Sequence, residues 1–334
     1  MKHWKHSIFA GLAFLAAAIA QTSCNGIDDD LSDCGKDVDL TYRMRLVTNM
    51  QQEIDSVLCE PQDQPVAELL RQTMGLFFND RGHDLALSFY DALDGSRRKQ
   101  LDNDMQGATQ ASYTIYLDLA DYRHTAIANV AQNGVVSWTG VDMLSGSSLN
   151  NPSAATVDSH ATGIFTGRCA LTVANDKKKL SGTVDLFMAN DAAAVVIDTT
   201  GVSIQDMTVY IDGLATGFSP ADSLYHYDRQ QTVNTTLLPV SQGHEVCYYG
   251  MGFPSPDMPT RADGTPYYWR MRVYVTLPDG SVTENTLSVN RPLRAGQLKI
   301  IKLRLKDDGE VTSVNAEVGV GVELNWKDGP HFEK

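Results

Sequence analysis

The sequence predicts an all-β chain of two tandem β-sandwich domains, with one short amphipathic helix in the first. Apolar and polar residues alternate with a period of two in segment after segment, the pattern of half-buried strands. Clusters of Gly, Pro, Asn, Asp and Ser separate these segments. A single window, Pro65 to Phe78, shifts to helical spacing. Strands in succession with no helices between them argue for sandwiches over a βαβ array. The chain of 334 residues is long enough for two ordinary domains, and its 43% hydrophobic content excludes wholesale disorder.

The first residues address the chain. Lys2 and Lys5 precede an apolar run from Ile8 to Ala20, followed by Gln21-Thr22-Ser23-Cys24. The run is shorter than the roughly 20 residues a bilayer requires and has the layout of a secretory signal. Small residues before Cys24 predict a bacterial lipoprotein signal over residues 1–23, with Cys24 as the acylated first residue of the mature chain. Each lipid methylene contributes about 0.8 kcal/mol, so several acyl chains would hold the protein on a membrane without a spanning helix. Residues 24–39, with Asp28-Asp29-Asp30, Asp33, Asp37 and Asp39, read as an acidic tether: a solvated spacer or an export label to the cell face.

The net charge is −14. An acidic chain lacks the cations to neutralise phosphates, which argues against nucleic acid. Anionic lipid would repel it too, leaving membrane contact to the acyl group. With Cys24 assigned to lipid, Cys34, Cys59, Cys169 and Cys247 are candidate disulfide cysteines in an exported chain, with buried free thiols as the alternative; no CxxC spacing of a zinc site occurs.

Along the chain, Leu40 to Val47 alternates as a strand, and Ile54, Ser56 and Leu58 predict a second. Val66, Leu69, Leu70, Met74 and Phe77 make the helical stripe. Leu85 to Phe89 is a strand, Asp94 to Gly107 reads as a polar loop, and Tyr113, Ile115, Leu117 and Leu119 alternate. Ala126 to Ala131 is a partner strand, followed by a hairpin-type signal at Asn133-Gly134. Ser145 to Ser159 reads as a linker or long loop. The first sandwich is thus expected over 40–165 and the second over 166–334.

The second half reads as strands at Val184 to Met188, Ala194 to Asp198, Met207 to Ile211, Val233 to Leu237 and Glu245 to Met251. Gly213 to Arg229 and Phe253 to Pro266 are loop-like. Trp269, Met271, Val273, Val275 and Leu277 share one face, and Pro278-Asp279-Gly280-Ser281 closes that strand in a turn. Val282 to Val289 returns. Leu298 to Leu305 follows, its adjacent Ile300 and Ile301 suggesting a bulge. Val318, Val320, Val322, Leu324 and Trp326 form the last alternating run.

Together these residues resemble the FimB-type fimbrial anchor and assembly proteins of the Bacteroidales. The likeness lies in the lipoprotein cysteine, Asp33-Cys34 before the strand at Leu40, Glu53-Ile54-Asp55-Ser56-Val57, Tyr113 to Tyr122, and Val184 to Asn190 followed by Ala194 to Ile197. The last stretch is similar to the opening of the family's C-terminal domain, although Ala189-Asn190-Asp191 stands where members often carry an arginine. The resemblance implies transthyretin-like sandwiches, no enzyme activity, a fimbrium held to the outer membrane by lipid, and fimbrial stalk or accessory subunits as partners met by strand-mediated contact. Stalk subunits of such fimbriae lose an N-terminal strand by cleavage after an arginine. Here no arginine lies between Cys24 and the first strand, the earliest being Arg43 and Arg45 within it.

Enzyme and cofactor motifs do not assemble. Asp102-Asn103-Asp104-Met105-Gln106-Gly107 starts like a calcium loop, but Tyr113 stands where its closing Glu belongs. His83, His124, His160, His226, His244 and His331 are scattered without metal-site spacing, and there is no GxSxG elbow. The rival reading is a surface glycan-binding lipoprotein using Tyr267-Tyr268-Trp269 and Tyr248-Tyr249 as a stacking platform; Trp269, at the head of an apolar face, fits a core role better.

Overall fold

The computed structural model describes residues 35–176, 178–229, 231–262, 265–314 and 318–323. The signal segment, Cys24, Cys34 and Leu324 to Trp326 lie outside them. Strands of six or more residues are numbered in chain order: β1 (Lys36–Arg45), β2 (Gly82–Asp91), β3 (Arg97–Ala108), β4 (Gln110–Leu117), β5 (Ala120–Ala128), β6 (Phe165–Val173), β7 (Leu180–Met188), β8 (Asp191–Asp198), β9 (Asp206–Asp212), β10 (Glu245–Gly252), β11 (Trp269–Thr276), β12 (Val282–Val289), β13 (Leu298–Leu305) and β14 (Val318–Glu323). Two helices, α1 (Met50–Val57) and α2 (Gln64–Phe77), follow β1.

The first sheet runs β3-β2-β5-β6-β7-β1-β4 and folds over on itself to enclose the first core. Neighbours β6 and β7 pair only at Phe187–Thr166 and Met188–Phe165 before diverging. Across the enclosed space, Tyr42 of β1 reaches His124 of β5 at 2.9 Å. The second sandwich stacks a five-stranded sheet (Thr236–Leu238, β10, β8, β13, Val311–Ser313) on a six-stranded one (β14, β12, β11, β9, Thr232–Asn234, Thr156–Val157). Trp269, Met271, Val273 and Val275, alternating inward on β11, meet Val195, Ile197, Ile301 and Leu303 there. Seen from its other face, the five-stranded sheet contributes Ala192, Ala194, Val196, Leu298 and Ile300 to the first core. It is therefore covered on both sides, which is why Ala192 to Ile197 is continuously apolar rather than alternating.

Most sequence expectations hold within a residue or two: the helix predicted over Pro65–Phe78 is α2, and the turn after Leu277 has Gly280 at φ +83° with its N–H on the Leu277 carbonyl. Five differ. Ile54, Ser56 and Leu58 belong to α1 and its end; Ile54 and Leu58 are buried and Ser56 exposed, so a four-residue spacing, not alternation, sets the face. The first domain thus carries two helices of length rather than one. The segment expected to loop from Asp94 is largely β3, whose charged side chains face solvent while Leu101 and Met105 turn inward. Asn133-Gly134 ends a one-turn helix (Val130–Asn133), with Gly134 at φ +74°, the same left-handed preference that makes the pair a hairpin signal. Register through Ile300 and Ile301 is continuous, both being buried because both sheet faces are covered. Ser145 to Ser159 holds strands Ser148–Asn150 and Thr156–Val157.

Strands β6 and β7 hydrogen-bond into the first sheet, so the sheet draws residues from both sides of position 165. The chain then passes from β7 to β8 across Ala189-Asn190 alone. Val184 to Asn190, likened above to the start of a C-terminal domain, is the last strand of the first sheet and the step out of it.

Candidate functional site

The features that bear on function begin with β1. It is flanked on both sides, parallel to β7 (Val38–Leu180 through Arg45–Phe187) and antiparallel to β4 (Lys36–Leu117 through Arg43–Gln110). Val38, Leu40, Tyr42 and Met44 point into the core. Strand pairing begins at Lys36, inside the stretch read as tether. On the outer face, Asp185 Oδ1 of β7 receives Arg43 Nε at 3.1 Å and Arg45 Nε at 3.0 Å. His124 Nδ1–H donates to the Ser88 carbonyl at 2.9 Å, leaving Nε2 to accept from the Tyr42 hydroxyl. Burial pushes the His124 pKa down to about 4, keeping it neutral. The first strand is thus held by two ladders, an apolar face and a buried hydrogen bond. A protease must bind its substrate extended and unpaired. Trypsin is therefore expected to leave the native chain uncut at Arg43 and Arg45, and a fragment beginning at Met44 or Leu46 in limited proteolysis would contradict this reading of β1.

A second feature is the seam between the helices and the five-stranded sheet. Asn49, ahead of α1, acts as a substitute strand on the free edge of β13, its Nδ2–H donating to the Leu298 carbonyl at 3.0 Å and its Oδ1 accepting the Leu298 N–H at 2.8 Å. Glu53 accepts the Ile300 N–H. The remaining edge is covered by Val311–Ser313 and the Val314 N–H. This edge is therefore closed to an added strand. Beneath it, the buried Lys302 Nζ lies 2.6 Å from Asp63 Oδ1 and 2.8 Å from Glu60 Oε2. Glu245 on β10 adjoins this cluster; burial and then Asp63 push its pKa up to about 8.

A third is a buried polar chain at the step between sheets. His160 Nε2–H donates to Asn151 Oδ1, and Asn151 Nδ2–H to Gln231 Oε1. Asn190 joins the Ile164 N–H, the Thr162 carbonyl and His160 Nδ1. Next to it Asp191 is fully buried, with no hydrogen-bond partner for either oxygen, and burial raises its pKa well above the carboxylate range. These residues are far apart in sequence and conform to no motif, so nothing in the sequence marked them.

Of the candidate cysteines, Cys59 is exposed, Cys169 partly buried on β6 and Cys247 buried on β10; all three are free thiols. Burial pushes the Cys169 thiol up to about 11. Asp102 and Asp104 sit in β3, paired with β2, so the calcium-like motif is strand rather than loop. His124 and His160 are buried and hydrogen-bonded. Among the described residues, no group of three or more His, Cys, Asp or Glu could hold a metal ion. The aromatic platform does not form: Trp269 is fully buried, its Nε1–H donating to the Arg291 carbonyl, while Tyr248 and Tyr249 pack against opposite cores.

No protein-family model and no curated protein matches the chain. Solved structures do. The chain superposes with a TM-score of 0.51 on the fimbrial anchor protein Mfa2 from Porphyromonas gingivalis, at 8% identity over 86% of this chain and 99% of that one. A Bacteroides thetaiotaomicron protein described as a candidate polysaccharide-binding protein gives 0.50 at 12% identity, over 84% and 97%. A candidate adhesin from Bacteroides ovatus also gives 0.50, at 8% identity over 87% and 97%. At these identities the likeness is one of fold: an all-β sandwich architecture shared with fimbrial and adhesin proteins.

Proposed function

We propose that this chain is a lipid-anchored outer-membrane subunit of a surface fimbrium, an anchor or assembly protein that works by strand-mediated contact with stalk or accessory subunits and not by catalysis. The observation that carries the reading is β1, an N-terminal strand flanked on both sides within a sheet, with its arginines inside the ladder. A subunit that keeps this strand also keeps whatever lipid Cys24 bears, as an anchor requires. The lipoprotein signal and the fold held in common with an anchor protein support the same reading. Exposed strand edges supply the means of contact, because unpaired amides and carbonyls are satisfied by a partner strand.

Cys24→Ala is the decisive variant. Labelling with an alkyne analogue of palmitate should mark the parent and not the variant, and the variant should leave the membrane fraction and give short or detached fimbriae. A Cys24→Ala chain that stays membrane-bound and supports normal filaments would overturn the proposal.

A further inference from the structure

The cluster at the seam between the helices and the five-stranded sheet brings an amine against carboxyl groups, the parts of an amide-forming reaction. Lys302 lies two positions along β13 from Ile300, and Glu245 two positions along β10 from Cys247; both apolar neighbours face the first core. Alternation therefore turns Lys302 and Glu245 toward the helices. Against them, the turn before α2 sets Glu60 and Asp63 in a capping box, with the Glu60 N–H donating to Asp63 Oδ2 at 3.1 Å. Lys302 Nζ is 2.6 Å from Asp63 Oδ1 and 2.8 Å from Glu60 Oε2. That contact holds the nitrogen beside Asp63 Cγ, near the roughly 3–3.5 Å from which an attack starts.

Environment separates the two glutamates. Glu60 is half-exposed and accepts from both Lys302 and Gln62, which suits a proton acceptor. Glu245 is buried and hydrogen-bonded to Asp63; its pKa, pushed by burial and then by Asp63 up to about 8, keeps it protonated at neutral pH, which suits a donor. Three carboxyl groups around one ammonium exceed what charge balance needs, and the surplus acid is the protonated one.

We propose that Lys302 and Asp63 condense to an intramolecular amide in the folded chain, with Glu60 as the base and Glu245 as the acid. Nζ gives one proton to Glu60, and its freed electron pair forms the bond to Cγ. Glu245 protonates Asp63 Oδ1, the Cγ–Oδ1 bond breaks, and Oδ1 leaves as water with a second proton from the nitrogen. Oδ2 stays as the amide oxygen, held by the Glu60 N–H. Ammonium and carboxylate become amide and water, so the step needs no oxidant or cofactor. Burial pulls the Lys302 pKa down, but its hydrogen bonds to Asp63 and Glu60 outweigh this and raise it, so the free amine is scarce. The bond therefore forms slowly, and the freshly folded chain still holds the ion cluster. Once formed, it joins positions 239 apart and braces the helices to the second sandwich, constraining the unfolded chain as a disulfide does. This self-modification is independent of the fimbrial role proposed above.

Mass spectrometry of the full-length chain, freshly folded and after a week in warm neutral buffer, tests it. The aged chain should be lighter by one water. Its tryptic digest should contain a branched peptide joining the segments of Asp63 and Lys302, uncut after Lys302. Lys302→Arg keeps the charge but replaces the amine, and should give no branched peptide. Glu245→Gln should slow the appearance of that peptide at least about tenfold. An unchanged mass, a loss of water without the branched peptide, or an unslowed Glu245→Gln chain would each overturn the proposal.

Discussion

A Lys302→Met chain is expected to lose about 3–5 kcal/mol of stability, the usual cost of removing one partner from a buried ion pair. Lys302 is only 6% exposed and Asp63 fully buried. Their contact at 2.6 Å, with Glu60 at 2.8 Å, is what lets the turn before α2 dock on the five-stranded sheet. With the ammonium gone, the Asp63 carboxylate stays buried without its counter-charge and next to Glu245. Urea unfolding measures the loss. A combined Lys302→Met and Asp63→Leu chain should recover most of it, since an apolar pair of similar volume can replace a buried ion pair at little cost. A single-variant loss below about 1 kcal/mol, the range of surface pairs, would show that the cluster does not hold the helices in place.

The second large effect is on pH dependence. The folded-state pKa of Glu245 is raised from 4.5 to about 8, so the folded chain holds a proton that the unfolded chain releases. Its contribution is fully present below pH 4.5 and is lost as pH rises through about 8, at no more than about 1.4 kcal/mol per pH unit for one group. The buried Asp191, raised for the same reason, adds in the same direction from the ordinary Asp range upward. The melting temperature is therefore expected to fall between pH 5 and pH 8. Glu245→Gln, which keeps a neutral hydrogen-bonding group, should flatten most of that slope and be the more stable chain at pH 8. Equal slopes for parent and variant would place the titrating group elsewhere.

The exposed carboxylates bear little on this. Asp39 is shifted down, first by its hydrogen bond to Lys179, and Asp55 first by its hydrogen bond to Gln51. Both shifts favour the ionised folded chain at neutral pH, but water and salt screen these groups. The buried acids therefore set the sign of the profile.

Strand alternation was legible wherever one sheet face is buried and the other wet. Trp269 to Val275 reads correctly residue by residue, because each inward side chain sits between two solvent-facing ones. The signal failed at particular places for particular reasons. Both faces of β8 are covered, so its run is uniformly apolar and betrays no facing. At β3 the outward half carries Arg98, Gln100, Asp102 and Asp104, which made an edge strand look like a loop. In α1 a short amphipathic stretch offers apolar residues that fit either period, and its docking on β13 chose the helix.

By itself the sequence determined the class of fold, the position of the main helix and the turn chemistry at Pro278 to Ser281. These rest on local physics: periodicity and backbone preference. Tertiary structure alone decided that β6 and β7 close the first sheet, that Asn49 and Glu53 cap the edge of β13, and that Lys302 meets Asp63 from 239 positions away. It also set Glu60 and Glu245 against that pair. Each of these depends on strands crossing between sheets, and the register that brings distant residues together is set by how the two cores pack, which no local pattern encodes.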